Sequence, residues 1–154
     1  MEIRAAETSE AERLSDLAQR SKAHWGYSDA FMEACRDELT YTPEQLAAGG
    51  FRVLEDDGEV RGFYALTKVS PDALELEAMF VEPEHIGRGY GRALMDHALA
   101  EFEATELSRL IIQADPNAAP FYEHAGALLI GERASASIEG RSLPLYEINL
   151  DRKE

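Results

Sequence analysis

The stretch Phe80-Val81-Glu82-Pro83-Glu84-His85-Ile86-Gly87-Arg88-Gly89-Tyr90-Gly91-Arg92 limits what this chain can fold into more than any other. It leaves a segment, residues 74–81, in which Leu74, Leu76, Ala78 and Phe80 alternate with Glu75, Glu77, Met79 and Val81. That two-residue period predicts a strand with one core face and a second face carrying two carboxylates. The stretch then runs into Leu94, Met95, Ala98, Leu99 and Phe102, spaced as one stripe of a helix. A chain that passes from strand to helix through alternate glycines leaves the first helical amides without internal partners. Glycines at 87, 89 and 91 strip side chains from the turn. The helix dipole, with Arg88 and Arg92, makes it locally positive. Such a turn suits a diphosphate.

Local positive potential matters because the 154 residues carry a net charge of −15. That balance argues against nucleic-acid backbones as partners and would attract a cationic small molecule. A solubilising surface accounts for it equally well. Two nucleotide motifs are excluded by residue type. A Walker loop requires Gly-Lys-Ser/Thr, and Arg92-Ala93 follows Gly91. A dinucleotide fingerprint needs a third glycine where Arg92 stands.

The length predicts a single domain, residues 1–154. There is no run of apolar residues on the membrane-spanning scale of about 20, and residues 1–5 lack the build of a signal peptide. One cysteine, Cys35, excludes an internal disulfide and reads as a buried small hydrophobe. A cytoplasmic setting is the expectation. The four histidines show no metal-ligand spacing, so no metal is expected.

Elsewhere the signals are local. Residues 2–5 read as a first strand. Ser9 and Glu12 form a capping box opening a helix to about residue 22. Ser28 caps a second helix, with Tyr27 placed to staple against Met32. Thr42-Pro43-Glu44-Gln45 starts a third, ending at Gly49-Gly50. Residues 51–54 and 60–67 are strands joined at Asp56-Asp57-Gly58. Residues 110–112 form a buried strand, residues 120–125 a short helix, and residues 128 onward and 143–150 two last strands.

The turn Ile86-Gly87-Arg88-Gly89-Tyr90-Gly91, Val81-x-Pro83 before it and Asp115-Pro116-Asn117-Ala118-Ala119-Pro120-Phe121-Tyr122 after the next strand together resemble the motifs of the GNAT superfamily of N-acetyltransferases. The resemblance is strongest over residues 74–126. Ile86 departs from the family's Gln/Arg, which puts that side chain's role in question rather than the site. The resemblance implies an α+β, three-layer fold: a central, mostly antiparallel mixed sheet of six to seven strands flanked by about four helices. Its fourth and fifth strands would be a splayed pair, with a thioester lying where they part. It further implies acetyl-coenzyme A as co-substrate. The backbone of Met79, Phe80 and Val81 would hold the pantetheine arm. The segment Ile86, Gly87, Arg88, Gly89, Tyr90, Gly91 and Arg92 would hold the pyrophosphate, and Asn117 and Phe121 would contact the cofactor.

Acetyl transfer to an amine needs a base for the ammonium, a donor for the carbonyl oxygen and a proton for the departing sulfur. Tyr122 matches the family's tyrosine acid. Glu77 and Glu75 are candidate bases, acting directly or through water. A partly desolvated carboxylate has its pKa raised toward neutrality, as a base requires; a solvated strand face is the competing reading. His24, Trp25 and Tyr27 lie in a loop that the resemblance places at the acceptor, where aromatic groups suit a cationic or aromatic amine; packing at the core edge is equally open to them. Arg141 to Pro144 could close the same pocket. The expected function is N-acetylation of a primary amine of a small molecule or peptide. A non-catalytic acyl-coenzyme A sensor is the alternative. A homodimer through the last strand is left open.

Overall fold

A computed structural model describes residues 1–150. The elements are β1 (Glu2–Ala5), α1 (Ala11–Ala23), α2 (Asp29–Cys35), α3 (Pro43–Ala47), β2 (Phe51–Asp56), β3 (Glu59–Ser70), β4 (Ala73–Val81), α4 (Tyr90–Ala104), β5 (Arg109–Gln113), α5 (Ala119–His124), β6 (Leu128–Ala134) and β7 (Ser142–Asn149). Short 3-10 turns occur at Thr8–Glu10 and Pro83–His85. The strands make one sheet in the order β1-β2-β3-β4-β5-β7-β6. β1 with β2, β2 with β3, β5 with β7 and β6 with β7 pair antiparallel. β4 and β5 pair parallel, joined through α4, the crossover that a parallel pair needs. The mostly antiparallel mixed sheet is as expected, with seven strands; five α-helices stand against the four or so expected. Among the described residues no helix is long and apolar enough to cross a membrane.

The β4–β5 ladder runs from Ala73↔Arg109 to Glu75↔Ile111, whereas β4 itself continues to Val81. This is the expected splay. The strand order bears on the pairing of the last strand across a dimer that the sequence leaves open. β7, the last strand, lies between β5 and β6, so both its edges are already paired within the chain. The order ends at β1 and β6, and on β6 Leu128 is 72%, Leu129 60% and Ile130 49% exposed.

The chain divides into two compact units. One holds Met1–Ala65 and Ala78–Leu94, the other Leu66–Glu77 and the chain from Met95 on. In the first, Leu14, Leu17 and Ala18 of α1 are buried, as are Val53 and Leu54 of β2 and Phe63 and Tyr64 of β3. Phe63 meets Tyr41, Phe51 and Phe80 at ring-centroid distances of 5.6, 6.4 and 5.8 Å. Each such large apolar side chain contributes roughly 1.5–3 kcal/mol on burial. In the second unit the buried set is Met95, Ala98 and Phe102 of α4, Leu110 and Ile112 of β5 and Tyr146 of β7.

The local signals hold where nothing distant competes. Asp57 and Gly58 have φ of 55° and 75°, the pair of positive values that a two-residue type I′ hairpin demands. At α3, Thr42 and Gln45 cap each other: Gln45 N–H donates to Thr42 Oγ1 at 3.2 Å, and Thr42 N–H to Gln45 Oε1 at 2.8 Å. The Ser28 hydroxyl accepts from Phe31 N–H at 3.1 Å. Tyr27 stacks on Phe31 at 4.1 Å. The Ser9–Glu12 box does not form. Glu10 instead accepts from Glu7 N–H at 2.8 Å, and Arg4 of β1 grips both its oxygens at 2.9 Å. That charged partner lowers the Glu10 pKa and fixes a capping box on the Thr8–Glu10 turn that leads into α1.

Candidate active site

The glycine turn has the backbone that the sequence predicts. Gly87 and Gly89 have φ of 90° and 83°, a region costly for residues with a Cβ, and a Cβ built on either would meet nothing within 4 Å. Gly91 lies inside the first turn of α4 and has ordinary helical backbone, so its contribution is the missing side chain alone. Ala93 N–H donates to Gly89 C=O at 3.0 Å, which makes Gly89 the residue capping α4. Arg88 N–H donates to His85 C=O at 3.3 Å and Ile86 N–H to Pro83 C=O at 3.4 Å. Among the described residues the amides of Gly87, Gly89, Tyr90, Gly91 and Arg92 have no backbone acceptor. Arg88 and Arg92 are exposed beside them. A helix start with bare amides and two cations fits an anionic diphosphate group.

The approach to the turn is held by side-chain pairings that sequence reading did not foresee. Glu82 is gripped by Arg20 of α1, whose Nη2 lies 2.7 Å from Oε2 and whose Nε lies 3.1 Å from Oε1. Arg61 Nη1 lies 2.7 Å from His85 Nε2. The Tyr90 hydroxyl donates to Asp56 Oδ2 at 2.6 Å. That bond raises the Tyr90 pKa and lowers that of Asp56. Gly62 of β3 is needed for space. A Cβ there would stand 2.8 Å from Phe80 C=O and 2.9 Å from Leu94 Cδ1. No local pattern marks Arg61 or Gly62, or pairs Asp56 with Tyr90, because their partners lie on other elements. Met79, Phe80 and Val81 are half-buried at the end of β4.

In the second unit, Tyr122 sits on α5 with only 8% of its surface exposed. Phe121, more exposed, meets its ring edge-on at 5.3 Å. Burial, helped by the Asp115 charge, pushes the Tyr122 hydroxyl well above its ordinary pKa, so it stays protonated. None of the hydrogen bonds among the described residues involves that hydroxyl. Tyr146, by contrast, donates its hydroxyl to Glu123 at 2.6 Å. Asn117 lies in the loop before α5, where Asp115 Oδ1 accepts from its backbone N–H at 2.8 Å and its side-chain amide at 2.9 Å. Arg141 Nη2 stands 4.0 Å from Asp115.

The two carboxylates of β4 separate clearly. Glu75 is taken by Arg133 of β6, whose Nη1 lies 3.0 and 3.2 Å from its two oxygens and 3.2 Å from Gln113 Oε1. Glu77, two residues on, is more exposed. Partial desolvation, and then the Glu75 charge, raise its pKa. An ion-paired carboxylate is a poor base, and one with a raised pKa is a better one.

Of the aromatic loop, His24 and Trp25 are exposed, Trp25 at 47%, and their rings meet edge-on at 6.1 Å. Tyr27 is half-buried. Lys22 Nζ already lies 5.6 Å from the Tyr27 ring centre and 5.9 Å from that of Phe31. The chain's own ammonium therefore occupies the face that a cationic acceptor would use.

Residues 12–127 match the model of the acetyltransferase (GNAT) family. The chain is 28% identical over 146 residues to the 5-NmdU N-acetyltransferase of Pseudomonas phage PaMx11, covering 94% of this chain and 96% of that protein. A mycothiol acetyltransferase of Rothia mucilaginosa (strain DY-18) is 36% identical over 93 residues, 58% of this chain and 26% of that protein. Among solved structures, the paia N-acetyltransferase of Thermoplasma acidophilum in complex with coenzyme A superposes with a TM-score of 0.76 at 20% identity, covering 96% of this chain and 98% of that one.

Proposed function

This chain belongs to the acetyltransferase (GNAT) family, and we propose that it transfers an acetyl group from acetyl-coenzyme A to a primary amine of a small molecule or peptide by direct attack on the thioester. The observation that carries the reading is the glycine turn, with five amides lacking backbone acceptors at the start of α4 beside Arg88 and Arg92. On a molecule of charge −15, this local device suits an anionic cofactor. The residues that would hold the diphosphate are 86–92. Met79, Phe80 and Val81 would bind the pantetheine arm through their main chain, and Asn117 and Phe121 would contact the cofactor. Bound acetyl-coenzyme A supplies an activated acyl thioester.

The chain's own residues then divide the proton work. The Glu77 carboxylate, its pKa raised, takes a proton from the acceptor ammonium, directly or through one water. Main-chain N–H groups of residues 79–81 orient and polarise the acyl carbonyl. The Tyr122 hydroxyl, kept protonated by burial, gives its proton to the departing sulfur. Glu75, held by Arg133, serves as a fixed negative charge beside the base. A sensor that only bound acyl-coenzyme A would need neither a tyrosine acid nor a raised carboxylate, and the presence of both Tyr122 and Glu77 favours catalysis. Acceptor recognition falls to His24, Trp25 and Tyr27. With Lys22 over Tyr27, an amine that also carries an acidic or flat aromatic group is better matched than a polyamine.

The test is an amine screen with acetyl-coenzyme A, reading acceptor-dependent release of free thiol. It should include 5-NmdU, the acceptor in the phage relative's name, alongside amino acids, short peptides and polyamines. Tight coenzyme A binding with no acceptor-dependent thiol release across the panel would favour the sensor.

A further inference from the structure

Resting on the cofactor reading above, we infer that two side-chain anchors, Arg61–His85 on one flank and Asp56–Tyr90 on the other, preset the glycine turn for its diphosphate. Arg61, His85 and Asp56 are then positioning residues for cofactor binding. The turn has little to fix it by itself, since the positions of Gly87 and Gly89 are open space even to an added Cβ. A glycine-rich segment also loses the most conformational freedom when it is ordered. A ligand that had to order it would bind correspondingly more weakly.

The two flanks are held differently. On the N-terminal flank, His85 closes the Pro83–His85 turn and meets Arg61 of β3, with Nη1 2.7 Å from Nε2. A guanidinium only donates, so His85 Nε2 accepts and the ring proton lies on Nδ1. That Nδ1 and Arg61 Nε are both buried without partners. A contact kept despite two unmade hydrogen bonds calls for a reason beyond local satisfaction, and holding the turn supplies one. The main chain adds to it, since Glu82 N–H donates to Arg61 C=O at 2.8 Å. On the C-terminal flank, the buried ring of Tyr90 opens α4, and its hydroxyl donates to Asp56 at the end of β2. The His85 and Tyr90 rings meet edge-on at 6.1 Å, so the two anchors touch. Residues 86–89 are thus clamped at both ends by neighbouring strands.

The test measures coenzyme A affinity by calorimetry on the full chain, with melting curves confirming that each variant is folded. Tyr90→Phe keeps the ring and removes only the hydroxyl. Asp56→Ala removes the acceptor, whereas Asp56→Asn keeps an oxygen for it. Asp56 also lies 3.5 Å from the Met1 ammonium, a pair that Tyr90→Phe leaves intact. On the other flank, His85→Phe loses the acceptor and His85→Gln offers an amide oxygen in its place. Tyr90→Phe, Asp56→Ala and His85→Phe should each weaken binding about tenfold, the scale of one charged hydrogen bond, with Asp56→Asn and His85→Gln recovering most of it. A wild type that binds, with all five variants binding alike, overturns the anchors and leaves the cofactor reading standing. A wild type that binds no coenzyme A removes both.

Discussion

A phenol buried to 8% exposure, with a pKa displaced upward and no hydrogen-bond partner among the described residues, is poised to give up a proton only when a strong base forms beside it. A departing thiolate is such a base. Tyr122→Phe should therefore lower turnover by about 10²–10⁴-fold while leaving coenzyme A affinity nearly unchanged. Full turnover in that variant, with an acceptor in hand, would remove the acid role. The carboxylates make a second prediction through pH. A base works only when deprotonated, so kcat/KM should fall as pH drops through the Glu77 pKa, on a limb displaced above the ordinary glutamate range. Part of that displacement comes from the Glu75 charge, so Glu75→Gln should move the limb to lower pH, whereas Glu77→Gln should abolish it. The same shift acts on stability with a definite sign. With its pKa raised on folding, Glu77 binds more protons in the folded state just above the ordinary glutamate range. Its ionisation opposes folding, and stability falls as pH rises through that window. Solvent screens an exposed group, so the effect is small. The Glu77→Gln variant should gain melting temperature relative to the wild type at neutral pH and not in acid, and a gain equal at both would refute the sign.

Elements show where sequence and structure part. The Asp57-Gly58 hairpin, the Thr42–Gln45 cap and the alternation of β4 were legible because each is decided within a few residues. The capping box ahead of α1 was read two residues late because Arg4, on β1, claims Glu10. Glu75 and Glu77 look equivalent along β4; Arg133, 58 residues further on, tells them apart. The place of β7 inside the sheet follows from strand order, which no local signal encodes. The glycine turn was legible as a motif, and its anchors were not, since nothing pairs Arg61 with His85 or Asp56 with Tyr90 until the sheet is assembled. Gly62 belongs with them and can be tested as an element-level contact. A Cβ at Gly62 would collide with the Phe80 carbonyl of β4, at 2.8 Å, and with Leu94 of α4. Backbone yields less readily than a flexible side chain, so Gly62→Ala should cost about 1–3 kcal/mol of stability. Because the shift would displace the end of β4, coenzyme A affinity should fall with it. A melting temperature equal to that of the wild type would show that β3 and β4 separate without penalty.

At the scale of the whole molecule the decisive quantity is charge. A net −15 surrounds the turn proposed to receive a polyanion, so the long-range field opposes the ligand that the local field favours. The two act over different distances. Salt reduces the Debye length from about 30 Å at 0.01 M to about 8 Å at 0.15 M, which screens the distant surface carboxylates while leaving contacts at the amides and at Arg88 and Arg92 largely intact. Adding salt across that range should therefore raise the association rate of acetyl-coenzyme A, the reverse of the usual outcome for a phosphate ligand meeting a basic site. Dissociation should change less. The acceptor's own salt dependence then reads its charge: KM rises with salt for a cationic amine drawn by the acidic surface, and falls or holds for one with an acidic group. Stopped-flow association measured at several salt concentrations decides the cofactor half. If the rate falls as salt is added, the local basic field reaches beyond the turn and outweighs the surface, and the acidic exterior has no bearing on how the cofactor arrives.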